Sequence, residues 1–381
     1  MTFPNRDPSE LAERLRTARS NASLTQDAAA TQLGMSRTTL VSIEAGQRRV
    51  RPEEIVAFAG LYGISVGRLT ATDAVHVDLT AKFRRVEGRE PGSDVTLAVG
   101  LLNKLATGAA ELEHAVGAEL QRDYPPPVRL RAAGIHQQAE DAAVALRGRL
   151  GVGLGPISDL FSLFELDLGL RVFVRPLPHQ ISGLYAFDPA IGACILINAN
   201  HRWKRRVQTL AHEGGHFVAD RSHADVYEED EVSESVEERF ARRFGPALLM
   251  PAATVRTRFD QIIGMEQAFS VRQLVLLAHQ FGVASEAMAR RLEDLDLLPK
   301  GTWESIKDRK FDSKLEREVL GDPAPEQAPP AIPTRLAYLA SIALDRGVLS
   351  EGQLSDLLVV DRVELWAALS AFPTGAELIE S

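Results

Sequence analysis

The chain has 381 residues, 45% of them hydrophobic and 25% charged, which is enough for two or three domains. Its net charge of -9 excludes a protein coated uniformly for nucleic acid, so any DNA binding must be local. The one cysteine, Cys194, excludes an internal disulfide and reads as a small buried strand residue in a reducing compartment; with a polar N-terminus and no apolar run of about 18 residues, this predicts a cytoplasmic protein without membrane contact.

Residues 9 to 70 predict five short helices. Leu11, Leu15 and Ala18 form the first apolar stripe, and Thr25 caps a second helix in which Ala28, Ala29 and Leu33 face inward. Gly34 makes a turn, and Ser36 caps a third helix running through Leu40, Ile43 and Glu44 to Gly46. A helix, a tight turn containing Gly and a second capped helix form a helix-turn-helix unit. The stretches Leu24-Thr25-Gln26, Leu33-Gly34-Met35-Ser36-Arg37-Thr38-Thr39-Leu40 and Ile43-Glu44-Ala45-Gly46-Gln47-Arg48-Arg49 resemble the Cro/CI-like (XRE) family.

That resemblance implies a third helix lying in the major groove of a double-stranded DNA operator. Ser36, Arg37, Thr38, Thr39 and Ser42 are then its candidate DNA-facing residues. Gln26 touches the DNA backbone or orients the recognition helix, and Arg48 and Arg49, with Arg51, suit phosphates. Residues 1 to 70 hold nine Arg and no Lys against seven Asp plus Glu, a balance of only +2. Non-specific affinity is expected to be weak and salt-sensitive, so a homodimer reading paired half-sites is expected.

Residues 71 to 95 read as a linker or short crossover. Leu97, Leu101, Leu102, Leu105, Ala109, Leu112 and Val116 then recur at helical spacing up to Leu120, an amphipathic connector that holds a dimer, docks the functional modules or acts as a spacer. Pro125-Pro126-Pro127 breaks the chain. A helix from Ala132 to Leu150 follows, ended by the glycine run at 151–156, which lacks a phosphate-loop ending and reads as a turn. Ile157 to Leu168 predicts a helix capped by Ser158. Residues 171–175, 181–187 and 193–198 predict three strands, the last two joined as a hairpin through 188–192.

The stretch Thr209-Leu210-Ala211-His212-Glu213-Gly214-Gly215-His216-Phe217 asks for a metal. Two histidines four apart lie on one helix face and can share an ion, with Glu213 beside it, in the HExxH arrangement of zinc peptidases. Two His and one carboxylate leave a fourth position for water, whose pKa falls towards about 7 on zinc. Glu213 is the candidate general base, taking the water proton and passing it to the leaving amine. Val207, Leu210, Ala211, Gly214, Phe217 and Val218 keep the spacing of a buried stripe. Gly214 and Gly215, adjacent within a helix at about 1 kcal/mol each relative to Ala, imply a close neighbour.

A third ligand is expected on the helix that follows, where Phe240, Ala241, Phe244, Leu248 and Leu249 keep helical spacing up to Pro251. Periodicity does not choose between Glu237 and Glu238. The helix of His212 and His216 together with Ala241, Phe244 and Leu248-Leu249-Met250-Pro251 resembles the ImmA/IrrE metallo-endopeptidases over roughly residues 137 to 255. The resemblance implies an α+β zincin-like core, with His212, His216 and Glu238 as metal ligands and Glu237 as the alternative. Zn is the implied ion, with Mn or Fe as alternatives. Arg242, where the family often has Asn, and Gly245-Pro246, where it expects Ala and a helix former, depart from the pattern. In that family the small sheet lies beside the metal helix, where an extended substrate can be added as another strand. Tyr185 is a candidate to polarise the scissile carbonyl, or else packs in the core.

Beyond Pro251, residues 271–281 and 285–297 predict a second pair of helices, Gly321 to Pro333 a proline-rich linker, and Leu336 to Leu378 three or four short helices. The expected fold is mainly α with a small β-sheet, joined to an all-α helix-turn-helix domain and C-terminal helical segments. Its parts are a DNA-binding domain (1–70), a linker and connector (71–131), a peptidase core (132–255), a helical extension (256–320) and a linker with a C-terminal helical unit (321–381). The resemblances imply a transcriptional regulator whose metal-dependent endopeptidase cleaves a helix-turn-helix repressor, or itself, under stress. The alternative is a transcription factor, including an antitoxin or phage-linked regulator, whose metal site is structural or sensory.

Overall fold

The computed structural model describes residues 8–22, 24–63, 66, 69, 92–219, 221, 225–228, 235–266, 269–309, 311, 313–321 and 329–372. The linker expected at 71–95 lies outside them as far as residue 91, as do residues 322–328 of the proline-rich linker and most of the fifth helix expected before residue 70. The chain is mainly helical, with one four-stranded mixed sheet among the described residues. It divides into two compact units, one of Met1–Leu120, Ala186–Cys194 and Pro330–Ser381, the other of Gln121–Tyr185 and Ile195–Pro329.

In the first unit, α1 (Pro8–Asn21), α2 (Gln26–Gln32), α3 (Arg37–Glu44) and α4 (Pro52–Tyr62) enclose a core of Leu15, Ala29, Ala30, Leu40, Ile43, Phe58 and Tyr62. Both expected caps form: Thr25 accepts from the Ala28 amide and Ser36 from the Thr39 amide, each at 3.1 Å. The long helix α5 (Ser93–Val116) ends at Gly117 in the left-handed conformation, short of Leu120. It is buried on more than the stripe that its leucines define, including Gly100, Asn103, Thr107, Gly108 and Glu113, because C-terminal helices surround it. In the second unit, α6 (Ile135–Arg149) is followed by the glycine-rich turn. The turn wraps the buried Arg147, whose guanidinium donates to the carbonyls of Gly153, Gly155 and Leu248. The helix expected at 157–168 is instead a single α-turn, α7 (Leu160–Ser162), widening into a π-helix at Leu163–Asp167. Its cap is Asp159, not Ser158: the Asp159 carboxylate accepts from the Ser162 amide at 3.0 Å.

Strands β1 (Arg171–Arg175), β2 (Ile181–Asp188) and β3 (Gly192–Asn198) fall where alternation predicted them. The metal-motif helix α8 (Trp203–Ala219) then leads to a fourth strand, β4 (Asp225–Glu228), which the sequence reading missed. The sheet order is β1-β3-β2-β4, so β4 takes the edge beside β2. It pairs antiparallel with Gly183 opposite Tyr227 and Leu184 opposite Val226. β4 therefore forms the edge of the sheet on this side, with β2 between it and β3.

Helix α9 (Val236–Leu249) packs along α8 and against α6 and runs unbroken through Pro246. The rest of this unit is α10 (Ala252–Glu266), α11 (Val271–Gln280), α12 (Ser285–Asp294), α13 (Thr302–Asp308) and α14 (Ser313–Leu320). Arg291, buried, ties α12 to the Glu140 carboxylate at 2.5 and 2.9 Å and to the Met250 carbonyl at 2.9 Å. The C-terminal helices α15 (Thr334–Asp345), α16 (Glu351–Leu358) and α17 (Arg362–Leu369) belong to the first unit, where α15 and α16 pack on α5. Arg335 of α15 fixes that arrangement with a 2.7 Å ion pair to the buried Glu113 of α5.

Candidate metal centre and nucleic-acid interface

From Thr209 to Ala219 every residue of α8 is buried, so the two histidines cannot be solvated surface residues. Both glycines of the motif meet a close neighbour. A Cβ on Gly214 would stand 2.7 Å from the Phe164 ring, and one on Gly215 would stand 2.7 Å from the Ala241 Cα. This approach brings the first turn of α9 alongside His212 and His216.

Ser235 caps α9 by accepting from the Glu238 amide at 3.0 Å. A Ser-x-x-Glu start often sends the Glu side chain back to the cap amide. Here the Glu238 carboxylate faces the histidines. Its Oε2 lies 3.4 Å from His212 Nε2 and 3.3 Å from His216 Nε2, and those two nitrogens are 3.2 Å apart. Donors about 2.0–2.1 Å from a tetrahedral zinc ion stand about 3.3–3.4 Å from one another. The three atoms therefore trace one face of such a tetrahedron, and their chemistry fits zinc. The three residues are each 6% exposed and form the one His/Cys/Asp/Glu cluster of metal-binding geometry among the described residues. Glu237 is half-buried and outside it.

Burial pushes the Glu238 carboxyl up, but hydrogen bonds and charge from His212 and His216 outweigh it and hold the group well below the usual carboxylate range. The other carboxylate oxygen, Oε1, accepts from Arg242 Nη2 at 3.0 Å. Glu213 is fully buried. A Cβ on Gly183 would lie 2.8 Å from Glu213 Oε1 and 2.7 Å from Thr209 Cγ2, so this strand glycine makes the space that the carboxylate occupies. Opposite Gly183, Tyr227 stacks on the His212 ring with centroids 4.3 Å apart. Burial raises the Tyr227 pKa, and Glu238 adds to the rise against Arg205, so its hydroxyl stays a neutral donor. Tyr185 is buried with its ring 6.4 Å from that of His216. Sequence reading missed Tyr227 because Asp225-Val226-Tyr227-Glu228 is too short and too acidic to signal a strand.

Residues 166–293 match a peptidase family model, the IrrE N-terminal-like domain, and residues 10–71 match a helix-turn-helix domain model. The chain joins these two domains. The IrrE-like match contains His212, Glu213, His216 and Glu238, and the family is metal-dependent. No curated protein matches the chain.

Within the helix-turn-helix domain, the candidate DNA-facing residues fall into two groups. Arg37, Thr38 and Arg49 are exposed, whereas Ser42 and Thr39 are half-buried. The Ser36 hydroxyl lies 2.8 Å from the hydroxyls of both Thr38 and Thr39, so these three work partly as a cap. Gln26 donates to Glu44 Oε2 at 2.9 Å, and Arg19 grips the same buried carboxylate at 2.7 and 3.1 Å. Gln26 thus ties the start of α2 to the end of α3. Arg48 is held by Glu54 through two hydrogen bonds of 2.8 and 3.0 Å, and Glu54 also accepts from the Arg51 amide. Its guanidinium is therefore shared with a carboxylate, while Arg49 points to solvent.

Proposed function

We propose that this protein is a DNA-binding transcriptional regulator whose IrrE-like domain is a metal-dependent endopeptidase, acting on a partner helix-turn-helix repressor or on itself under stress. The observation that carries the reading is the triangle of His212, His216 and Glu238 donor atoms beside the buried Glu213. Bound there, zinc, or Mn or Fe in its place, would supply a Lewis acid and an activated nucleophile at neutral pH. His212, His216 and Glu238 would hold the ion. Glu213 would take the proton of the attacking water and deliver it to the leaving amine, its carboxylate lying in the space left by Gly183. A structural site needs no such base.

For the DNA-reading half, Arg37, Thr38, Thr39 and Ser42 would face base edges, with Ser36 and Gln26 setting the pose of the recognition helix and Arg49 meeting phosphate. Arg48 would join Arg49 only by sharing itself with Glu54. A homodimer on a paired operator in the cytoplasm completes the reading. No helix among the described residues is long and apolar enough to cross a membrane.

One observation favours a second reading, a transcription factor with a structural or sensory metal site: Tyr227 of β4 stacks on the His212 ring and covers one side of that ligand. Elemental analysis and a cleavage assay against helix-turn-helix repressors encoded near the gene decide between them. The endopeptidase reading expects about one metal per chain, its loss in Glu238→Ala, and a discrete cut that Glu213→Gln abolishes while keeping the metal. Bound metal with no Glu213-dependent cut transfers the conclusion to the second reading.

A further inference from the structure

We infer that Arg242 is a positioning residue for the metal-binding carboxylate, holding one oxygen of Glu238 so that only the other is offered to the histidine pair. This rests on the reading of His212, His216 and Glu238 as a metal centre. It adds to that reading an assignment for Arg242, one of the residues at which this chain departs from the pattern of the resembling family.

The two oxygens of Glu238 have separate partners. Oε2 is 3.4 and 3.3 Å from the histidine nitrogens, and Oε1 is 3.0 Å from Arg242 Nη2. Acid and base stand at i and i+4 on α9 with the acid first, the order in which such a pair meets most easily across one helical turn. Their surroundings differ: the Glu238 side chain is 8% exposed and that of Arg242 is 43% exposed. The guanidinium therefore reaches in from the rim to a carboxylate that is otherwise enclosed. An ordinary surface pair has both members in water and little geometric force.

The chemical consequence follows from what a carboxylate can do. With both oxygens free it can close on a cation through both, filling the position that a reacting group needs. A charge-assisted hydrogen bond to Oε1 engages one of that oxygen's lone pairs, makes it a weaker donor to a cation and draws electron density from Oε2. Arg242 thus favours a single-oxygen ligand of reduced donor strength and leaves a coordination position open. Arg is suited to this because its planar fork keeps direction as well as charge, whereas Lys supplies a rotating point charge.

Cobalt(II) is the probe, since its visible absorption is intense in four-coordinate sites and weak in five-coordinate ones. The full-length wild type loaded with cobalt is expected to give the four-coordinate spectrum. Arg242→Met, which keeps side-chain length without a donor, is expected to give the weaker five-coordinate band and, with both carboxylate oxygens on the ion at full donor strength, to hold cobalt more tightly in competition with a chelator. Arg242→Lys is expected to recover most of both properties, separating lost direction and charge from lost packing. Spectra and affinities of Arg242→Met equal to wild type would overturn the inference while leaving the metal centre intact. A wild type that binds no cobalt would overturn the metal centre, and this inference with it.

Discussion

Gly215 of α8 lies so close to Ala241 of α9 that a Cβ on it would stand 2.7 Å from the Ala241 Cα and 3.0 Å from its Cβ. The contact is with backbone, which cannot turn aside as the end of a side chain can. In Gly215→Ala, a gain of about 1 kcal/mol in helix propensity opposes an overpacking cost of about 1–3 kcal/mol, and the backbone contact gives the clash the larger share. The expected outcome is a net loss of about 1 kcal/mol in urea unfolding. Weaker zinc binding should accompany it, because the helix pushed away carries Glu238. Unchanged zinc affinity would show that the helix contact does not set the spacing of the ligands.

Gly183→Ala acts on the proposed base and leaves the ligands in place. Its Cβ would press on Glu213 Oε1 and Thr209 Cγ2, both side-chain atoms, so Glu213 is the group expected to shift. A displacement of about 1 Å at a reacting group costs about 100-fold in rate. Cleavage by this variant is expected to fall by that order with metal content near one per chain. Normal cleavage would remove Glu213 from its role.

In the helix-turn-helix domain, Glu44→Ala removes the carboxylate partner of Arg19, whose side chain is 13% exposed and keeps only its bond to the Leu24 carbonyl, and frees Gln26. Removing one member of a buried ion pair costs about 3–5 kcal/mol. Operator binding and the folding of α1–α4 are expected to fail together, with zinc content preserved. Glu44→Gln, able to accept but not to pair, should fall between.

The pH dependence of stability has a marker in Asp294. Burial raises its carboxyl, but Lys300 and Arg243, at 3.0 and 2.6 Å, outweigh this and lower it. A lowered carboxylate contributes stability fully above its unfolded value of about 3.9, and that contribution is lost as pH falls through the folded value. Allowing for partial solvent screening, wild type should exceed Asp294→Asn by about 1 kcal/mol near pH 7, with the gap closing below about pH 4. A gap that grows in acid would reverse the assignment.

The metal pair and the helix caps are local features, and the sequence displays them: His212 and His216 sit one turn apart, and Thr25 and Ser36 cap the helices they precede. The twin glycines forecast a close neighbour without saying which, and Phe164 and Ala241 fill that place. Glu238 and Glu237 flank the same helix face, so only the packing of α9 on α8 separates them. The π-helix at 163–167 has no signature in an apolar run, since it differs from an α-helix by one residue in the hydrogen-bond ladder. Helix α5 read as amphipathic because its buried small residues, such as Gly108 and Ala110, carry little hydrophobic signal of their own.

Strand β4 bears on how a peptide would bind. It lies in the segment joining the two ligand-bearing helices, with Tyr227 against His212. A free peptide that adds to the sheet on this side would pair with the outer edge of β4, so its binding depends on how firmly that strand is held. A folded partner that grips a second surface would depend less on that edge.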